Sequence, residues 1–465
     1  MRSIDVDVAI IGAGTAGLNA RRAALAGGAS RVVMIEGGAH GTMCARVGCM
    51  PSKLLIAASE AAHEPSRAQL FGIHIHPPKV DGPAVMHRIQ RERDRFVGFV
   101  LDAVRAIPEG QKITGYARFV GPTTLEVGDH TRVQAQTVVI AVGSSPYVPP
   151  QLATVGQRLL TNDSIFELPD LPRSVAVMGT GVIGLELGQA MHRLGVRVTI
   201  FNRSRRVGPL RDPELQTVAC RDMGRELDLR LGIRGVHGEA RANTAEIGWS
   251  DAEGREHKAS FDRVLCALGR RPAWERLNLR VTDVELDHNE HPCFDPHTMQ
   301  CGDSPIFVAG DFVGEKAILH EAADEGRFAG ANAATYPDVR AYARRTPLTM
   351  VFSDPQIAVV GTPFANLNPD TVRFGDVSYE DQGRARVMGK NRGMVRIYGE
   401  RRTRRLLAAE MFGPSVEHTA HLLAWSIQQQ MSVDAALEMP FYHPVVEEGI
   451  RTALRDLKGK LDTKP

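Results

Sequence analysis

Little in this chain of 465 residues points to a charged polymer or a membrane. Lys and Arg total 56 against 54 for Asp and Glu, a formal charge of only +2, too small for the electrostatic footprint of a nucleic-acid binder. Aromatic residues make up 6%, and no basic stripe is interleaved with rings that could stack on bases. No apolar run approaches the ~20 residues that a membrane helix requires. The N-terminal MRSIDVDVAIIGAG has no long apolar stretch and is interrupted by Asp5 and Asp7, so no signal peptide is expected. Six cysteines are too few, in a chain this long, for a disulfide scaffold. These absences predict a cytoplasmic protein without nucleic-acid or membrane partners. In such a reducing compartment a close cysteine pair is more often catalytic or metal-binding than structural.

What the chain does have is glycine, 45 residues of it, some in a telling order. Residues 5–11 alternate and then run apolar, as a buried parallel strand does. Gly12-Ala-Gly14-Thr-Ala-Gly17 follows, then a helical stretch ended by Gly27-Gly28, then a strand ending on Glu36. A second βαβ unit starts at SVAVMGTG, with Gly179-Thr-Gly181-Val-Ile-Gly184, a helix through LELGQAMHRLG and a strand VRVTIF. In such a loop the first glycine permits the tight turn, the second lets a pyrophosphate approach, and the third lets helix and strand pack closely. The helix N-terminus then meets the phosphates. Glu36 can accept hydrogen bonds from ribose hydroxyls. The second copy ends instead on Asn202, followed by Arg203, Ser204, Arg205 and Arg206. Arginines there favour the 2′-phosphate of NADP over the free hydroxyl of NAD, while the plain alternative is a solvated charge run.

Between the two loops, Cys44 and Cys49 lie in GTMCARVGCMPSK. Their spacing suits a bond across about one helical turn without settling connectivity. Alone, such a pair is more often two unrelated thiols. No further Cys or His stands at zinc-site spacing, so no metal is expected. Pro51 and the apolar run after it suggest a helix start, which lowers a thiol pKa. Cys220, Cys266, Cys293 and Cys301 read as buried, inert thiols. Near the C-terminus, His443 and Glu448 stand in FYHPVVEEGI. Alone this reads as a helix start, with Pro444 in the first turn and an acid at the dipole. Beside a dithiol it becomes a candidate acid–base pair, the Glu orienting the imidazole. Arg401 to Arg405 read as a solvated hairpin turn. After Pro347 alternating strands and two helical stretches predict an α+β segment. Two dinucleotide loops and a dithiol in one chain suggest an electron path from nicotinamide through flavin to sulfur.

Together GAGTAG with Glu36, CARVGCMPSK, VVIAVGSSP, GTGVIGLELG, ALGRRP, IFVAGD and HPVVEE resemble, end to end, the flavoprotein disulfide reductases. The likeness is greatest to the dihydrolipoamide dehydrogenases. Mercuric reductases of the family end in a cysteine pair, absent here, and glutathione reductases usually carry Lys where this chain has Ser52. The resemblance implies an α/β fold with two Rossmann-like FAD- and NAD(P)-binding domains plus a C-terminal α+β dimerisation domain. It divides the chain into 1–149 (FAD), 150–271 (NAD(P)), 272–342 (completing the FAD domain) and 343–465 (interface). FAD is expected at Gly12, Gly14, Gly17, Glu36, Lys53, Gly143 and Asp311, the last at its ribityl-phosphate region. NADP or NAD is expected at Gly179, Gly181, Gly184, Asn202, Arg203 and Gly269. The resemblance pairs Cys44 with Cys49, makes Cys49 the flavin-side charge-transfer thiolate and Cys44 the interchange thiol. It sets Lys53 and Glu186 as an ion pair beside the flavin's reactive nitrogen. It also implies a homodimer in which His443 and Glu448 serve the other subunit's cysteines. The expected activity is a dihydrolipoyl dehydrogenase-like reaction on a small disulfide or dithiol, or on a lipoylated protein. The alternatives are an NADPH-dependent reductase of another disulfide and a soluble transhydrogenase. Three departures from the family pattern stand out: Met43 between Thr42 and Cys44, HPVVEE at the His loop, and Asn202 with its arginines.

Overall fold

A computed structural model describes residues 1–314 and 318–463. Its helices are α1 (Thr15–Ala26), α2 (Met43–Val47), α3 (Cys49–Arg67), α4 (Gly82–Arg105), α5 (Pro150–Ala153), α6 (Val182–Arg193), α7 (Pro213–Met223), α8 (Leu319–Thr335), α9 (Gly383–Val387), α10 (Val416–Gln428), α11 (Val433–Leu437) and α12 (Glu448–Asp462). Among the described residues no helix is long and apolar enough to cross a membrane. The chain divides into two compact units. One comprises Met1–Pro51, Arg88–Tyr147 and Gly269–Arg344; the other comprises Ser52–His87, Val148–Leu268 and Arg345–Pro465.

The first unit is built on the strand Arg2–Ile11, which pairs in parallel with Val32–Glu36 on one side and Thr131–Ile140 on the other. Thr131–Ile140 alternates buried and exposed residues over its first six positions and is wholly buried over its last four. Its second edge explains the change. The first half pairs with the antiparallel strand Thr124–Val127, and the last three residues pair with the parallel strand Ile306–Val308. A strand covered on both faces needs apolar residues at every position.

Against this sheet α1 and α8 meet through small residues. A Cβ added at Gly330 would lie 2.1 Å from the Ala20 carbonyl oxygen, and one at Gly326 would lie 2.1 Å from that of Ala16. Gly330→Val is therefore expected to push α8 off α1 and lower stability by about 1–3 kcal/mol, the usual cost of overpacking. The check is the denaturant midpoint, compared with that of Gly459→Ala, where an added Cβ meets nothing within 4 Å.

In the second unit a parallel sheet runs in the order Asp228–Leu231, Arg197–Asn202, Ser174–Met178, Arg263–Cys266, Leu159–Leu160. A three-stranded antiparallel sheet, Arg234–Ala240, Ala245–Ser250 and Glu256–Phe261, follows it. The C-terminal part is a five-stranded antiparallel sheet covered by α10 and α12. On α12, Ile450, Ala453, Leu454, Leu457 and Leu461 are buried, the stripe expected of an amphipathic helix. The fold is thus mixed α/β, two nucleotide-fold sheets and an α+β segment.

Three local expectations are corrected. α12 begins at Glu448 with Glu447 as its N-cap, so Pro444 stands in the turn ahead of the helix. The 401–405 run is not simply solvated, since Arg404 takes φ of 59° and its guanidinium donates to Asp434 and Asp462. Of the four scattered cysteines, Cys266 and Cys301 are buried, Cys220 is half-buried and Cys293 is exposed. Burial pushes the Cys301 thiol up to about 12, which fits an inert role there and says nothing for Cys293.

Candidate redox site and nucleotide loops

The two glycine loops are near copies in three dimensions. Gly12 and Gly179 both take φ of 110°. A Cβ at Gly12 would lie 2.2 Å from the Ala141 carbonyl oxygen, and one at Gly179 would lie 2.5 Å from that of Ala267. A Cβ at Gly17 would strike the Gly12 carbonyl at 1.9 Å, and one at Gly184 the Gly179 carbonyl at 2.0 Å. The middle glycines differ in kind: a Cβ at Gly14 or Gly181 meets nothing within 4 Å. Each middle glycine is the N-cap of its helix, α1 or α6, with no side chain capping the first turn. Such unfilled space over uncapped N–H groups suits a phosphate. The Glu36 carboxylate accepts from the N–H groups of Ala13 (2.8 Å) and Gly38 (2.7 Å), which ties the strand end to the loop and leaves lone pairs over.

At the end of the strand Arg197–Asn202, the Asn202 amide donates to Thr180 Oγ1 at 2.6 Å, to Ser204 Oγ at 2.9 Å and to the Arg206 carbonyl at 3.2 Å. Asn202 therefore shapes the turn that carries Arg203 and Arg205, both exposed.

The cysteines occupy two consecutive helices, not one helical turn as the spacing suggested. Gly41 (φ 116°) and Thr42 (φ 58°) turn the chain, and Thr42 Oγ1 accepts from the Ala45 N–H at 3.3 Å. Met43 is absorbed as the first residue of α2, with Cys44 second. Gly48 then breaks the helix at φ −123°, ψ −117°, and Cys49 opens α3. A Cβ at Gly48 would lie 3.2 Å from the Cys44 Cα, so the break folds back on the first cysteine. Cys44 is half-buried and Cys49 exposed.

Four residues after Cys49, the Lys53 ammonium donates to both oxygens of Glu186, at 2.9 and 2.8 Å. The Lys53 side chain is 35% exposed and that of Glu186 4%. A buried carboxylate is tolerable only when its oxygens are satisfied; here the Phe352 N–H supplies a further bond, 2.9 Å from Oε1. The pair is one coupled unit, not two independent surface groups.

In the first unit, Asp311 accepts from Ser144 Oγ at 3.0 Å. Arg270 Nε donates to the same hydroxyl at 2.8 Å. These contacts join the short antiparallel strands Ser144–Pro146 and Arg270–Pro272, entered through Gly143 (φ 70°) and Gly269 (φ 106°). Beneath them the Gly310 N–H donates to buried Glu325 (2.9 Å), which also accepts from Arg344 (2.6 Å). Burial raises the Glu325 carboxyl, and the Arg344 guanidinium opposes that shift.

His443 Nδ1 lies 3.1 and 3.0 Å from the two Glu448 oxygens. The His443 side chain is 80% exposed, which leaves Nε2 at the surface. The bond from His443 holds the Glu448 carboxyl below its ordinary value. Among the described residues no cluster could hold a metal ion.

A family model described as pyridine nucleotide-disulphide oxidoreductase matches residues 6–326. The chain belongs to that family. The family's dimerisation domain matches residues 348–454. This oxidoreductase is 29% identical to dihydrolipoyl dehydrogenase 3 of Pseudomonas aeruginosa over 98% of both chains. It is 27% identical to the mercuric reductase of Bacillus cereus over 97% of this chain and 71% of that one. Among solved structures, LpdA of Mycobacterium tuberculosis has a TM-score of 0.83 at 23% identity, covering 97% of this chain and 99% of its own. The Cu(II) complex of the HOCl-induced flavoprotein disulfide reductase RclA of Escherichia coli has 0.81 at 20%, covering 98% and 99%. These two likenesses speak to the fold.

The oxidoreductase accordingly uses FAD and a pyridine nucleotide, and its two open glycine cradles fit such ligands. The dimerisation domain supports a homodimer. In the single chain that domain leaves Leu422, Trp425, Met439 and Tyr442 exposed. Sequence reading missed Ser144, Arg270 and Phe352. The first two lay inside quoted motifs, and Phe352 had no local signal at all.

Proposed function

We propose that the oxidoreductase moves reducing equivalents between a nicotinamide nucleotide and a small disulfide or dithiol of lipoamide type, free or carried on a lipoylated protein. The observation that carries this reading is the folded-back turn at Gly48, which brackets two cysteines just ahead of the Lys53–Glu186 pair. FAD, held by Gly12, Gly14, Gly17, Glu36, Lys53, Gly143 and Asp311, supplies the two-electron relay between nicotinamide and sulfur. The nucleotide is held by Gly179, Gly181, Gly184, Asn202, Arg203 and Gly269. Residues 1–149 with 272–342, 150–271 and 343–465 act as the FAD, nucleotide and interface domains.

In the reducing direction Cys44 Sγ attacks one sulfur of the substrate disulfide. A mixed disulfide forms, and the departing thiolate takes a proton from His443 Nε2 of the other subunit. Cys49 Sγ then attacks Cys44 Sγ, closing Cys44–Cys49 and releasing the second thiol. In the oxidising direction His443 takes protons from the dithiol, and Glu448 holds the imidazole so that Nε2 is the basic nitrogen. The N-terminus of the 19-residue α3 favours negative charge on Cys49, as a charge-transfer thiolate needs.

An anaerobic assay crossing NADH and NADPH with lipoamide, glutathione disulfide and a coenzyme A disulfide tests the reading. Turnover of lipoamide is expected. Turnover of another disulfide alone would replace the substrate class, and transhydrogenation without any disulfide turnover would overturn the reading. The arginine turn favours NADPH. In Arg203→Ala/Arg205→Ala the KM for NADPH is expected to rise about tenfold or more, the loss of charge-assisted phosphate contacts, with that for NADH nearly unchanged. Equal rises for both nucleotides would refute it.

A further inference from the structure

We infer that Phe352 is a positioning residue for hydride transfer, its ring holding the Lys53 ammonium and its main chain holding the Glu186 carboxylate. The inference rests on the flavin-side reading of that ion pair and adds what keeps the pair in place. Lys53 Nζ lies 4.3 Å from the centroid of the Phe352 ring, the distance of a cation–π contact. Two of the three ammonium donors go to Glu186, and the ring covers a further side of the charge. Lys53 remains about one-third exposed, so without the ring its flexible stem is free to swing the ammonium toward water.

Phe352 is itself fixed by a ladder on α6. Residues 352–354 leave the strand Leu348–Val351 and lie along Glu186, Gln189 and Arg193, which share one helix face. The first rung is the Phe352 N–H on Glu186 Oε1 at 2.9 Å. In the second, Gln189 Oε1 accepts from the Asp354 N–H at 2.8 Å and Gln189 Nε2 donates to the Asp354 carbonyl at 2.9 Å. In the third, Arg193 donates to Asp354 Oδ2 at 3.1 Å. Three rungs set the height and rotation of the Phe352 backbone, and the backbone sets the ring. Packing alone does not call for this arrangement, because an aliphatic side chain fills the same space without attracting a cation.

The test keeps the volume and removes the attraction. Mono-, di- and trifluorinated phenylalanines at position 352 drain negative charge from the ring face while leaving its shape nearly intact. In the FAD-loaded protein the rate of flavin reduction by nicotinamide nucleotide is expected to fall stepwise, about tenfold across the series. The midpoint potential of the bound flavin is expected to become more negative in the same order. A packing role predicts no loss, since fluorination makes the ring more apolar. Gln189→Leu, which removes the middle rung without touching Lys53, is expected to shift the potential in the same direction. A series flat in both rate and potential overturns the inference. Lys53→Met separates the two levels. A shifted potential in that variant beside a flat ring series overturns only the role of Phe352, while an unchanged potential and flavin spectrum overturns the placement of the pair and the inference with it.

Discussion

Cys44→Ser is expected to yield a yellow, FAD-loaded protein that nicotinamide nucleotide still bleaches and that turns over no disulfide. Disulfide turnover should drop by about 10³-fold or more, because a serine hydroxyl at neutral pH offers almost no anion where a thiolate is needed to attack sulfur. Reduction of a one-electron dye, which draws on the flavin directly, should stay within about twofold. The separation is expected because Cys44 is the second residue of the short α2, and serine differs from it by one atom of similar size, so the fold around it is kept while the nucleophile is lost. The check is parallel lipoamide and dye assays on protein of equal flavin content. Full lipoamide turnover in this variant would remove Cys44 from the reaction.

The second large effect is expected at His443. Its Nδ1 is engaged by both Glu448 oxygens, and Glu448 also accepts from the Val445 N–H at 3.3 Å. The imidazole is therefore oriented by the first residue of α12 and the turn before it. His443→Ala should lower kcat by about 10²–10⁴-fold in both directions, the usual worth of a positioned acid–base group, with FAD content and dye reduction intact. Glu448→Gln should cost less, since the amide still meets the ring but no longer supports its protonated form. The carboxyl of Glu448 is held below its ordinary range by the bond from His443. Its contribution is therefore present above the ordinary carboxylate pKa and lost only as pH falls through the lowered value. If His443 serves the other subunit, mixing Cys44→Ser and His443→Ala dimers restores turnover as subunits exchange. No recovery under conditions where exchange is demonstrated would assign His443 to its own chain.

The parts of this site that could be read from sequence are those whose chemistry is local. Gly12-x-Gly14-x-x-Gly17 and its copy at Gly179 name a turn, an approach and a packing contact within six residues, and all three recur in the backbone. Cys44 and Cys49 were visible as a pair, but the break at Gly48 was not. A single glycine does not declare its ψ, whereas Pro51 did mark the first turn of α3. Lys53 and Glu186, 133 residues apart, were matched through family resemblance. No periodicity links two positions that distant. The supports around them were invisible for the same reason. Phe352 reaches Glu186 across 166 residues, and Glu325 reaches Arg344 under the Asp311 turn across 19, in each case by tertiary packing alone. Arg404 misled because a run of arginines looks solvated until Asp434 and Asp462 converge on one of them.

The ladder of Glu186, Gln189 and Arg193 against residues 352–354 also fixes a length. The first rung holds the Phe352 amide and the other two hold Asp354 by its main chain and its carboxylate, so a residue inserted between Phe352 and Asp354 would leave the first rung in place only by moving the others off Gln189 and Arg193. An exposed loop with no such bonds can take an extra residue at little cost, whereas here the number of residues between the two anchors is held as firmly as the anchors themselves.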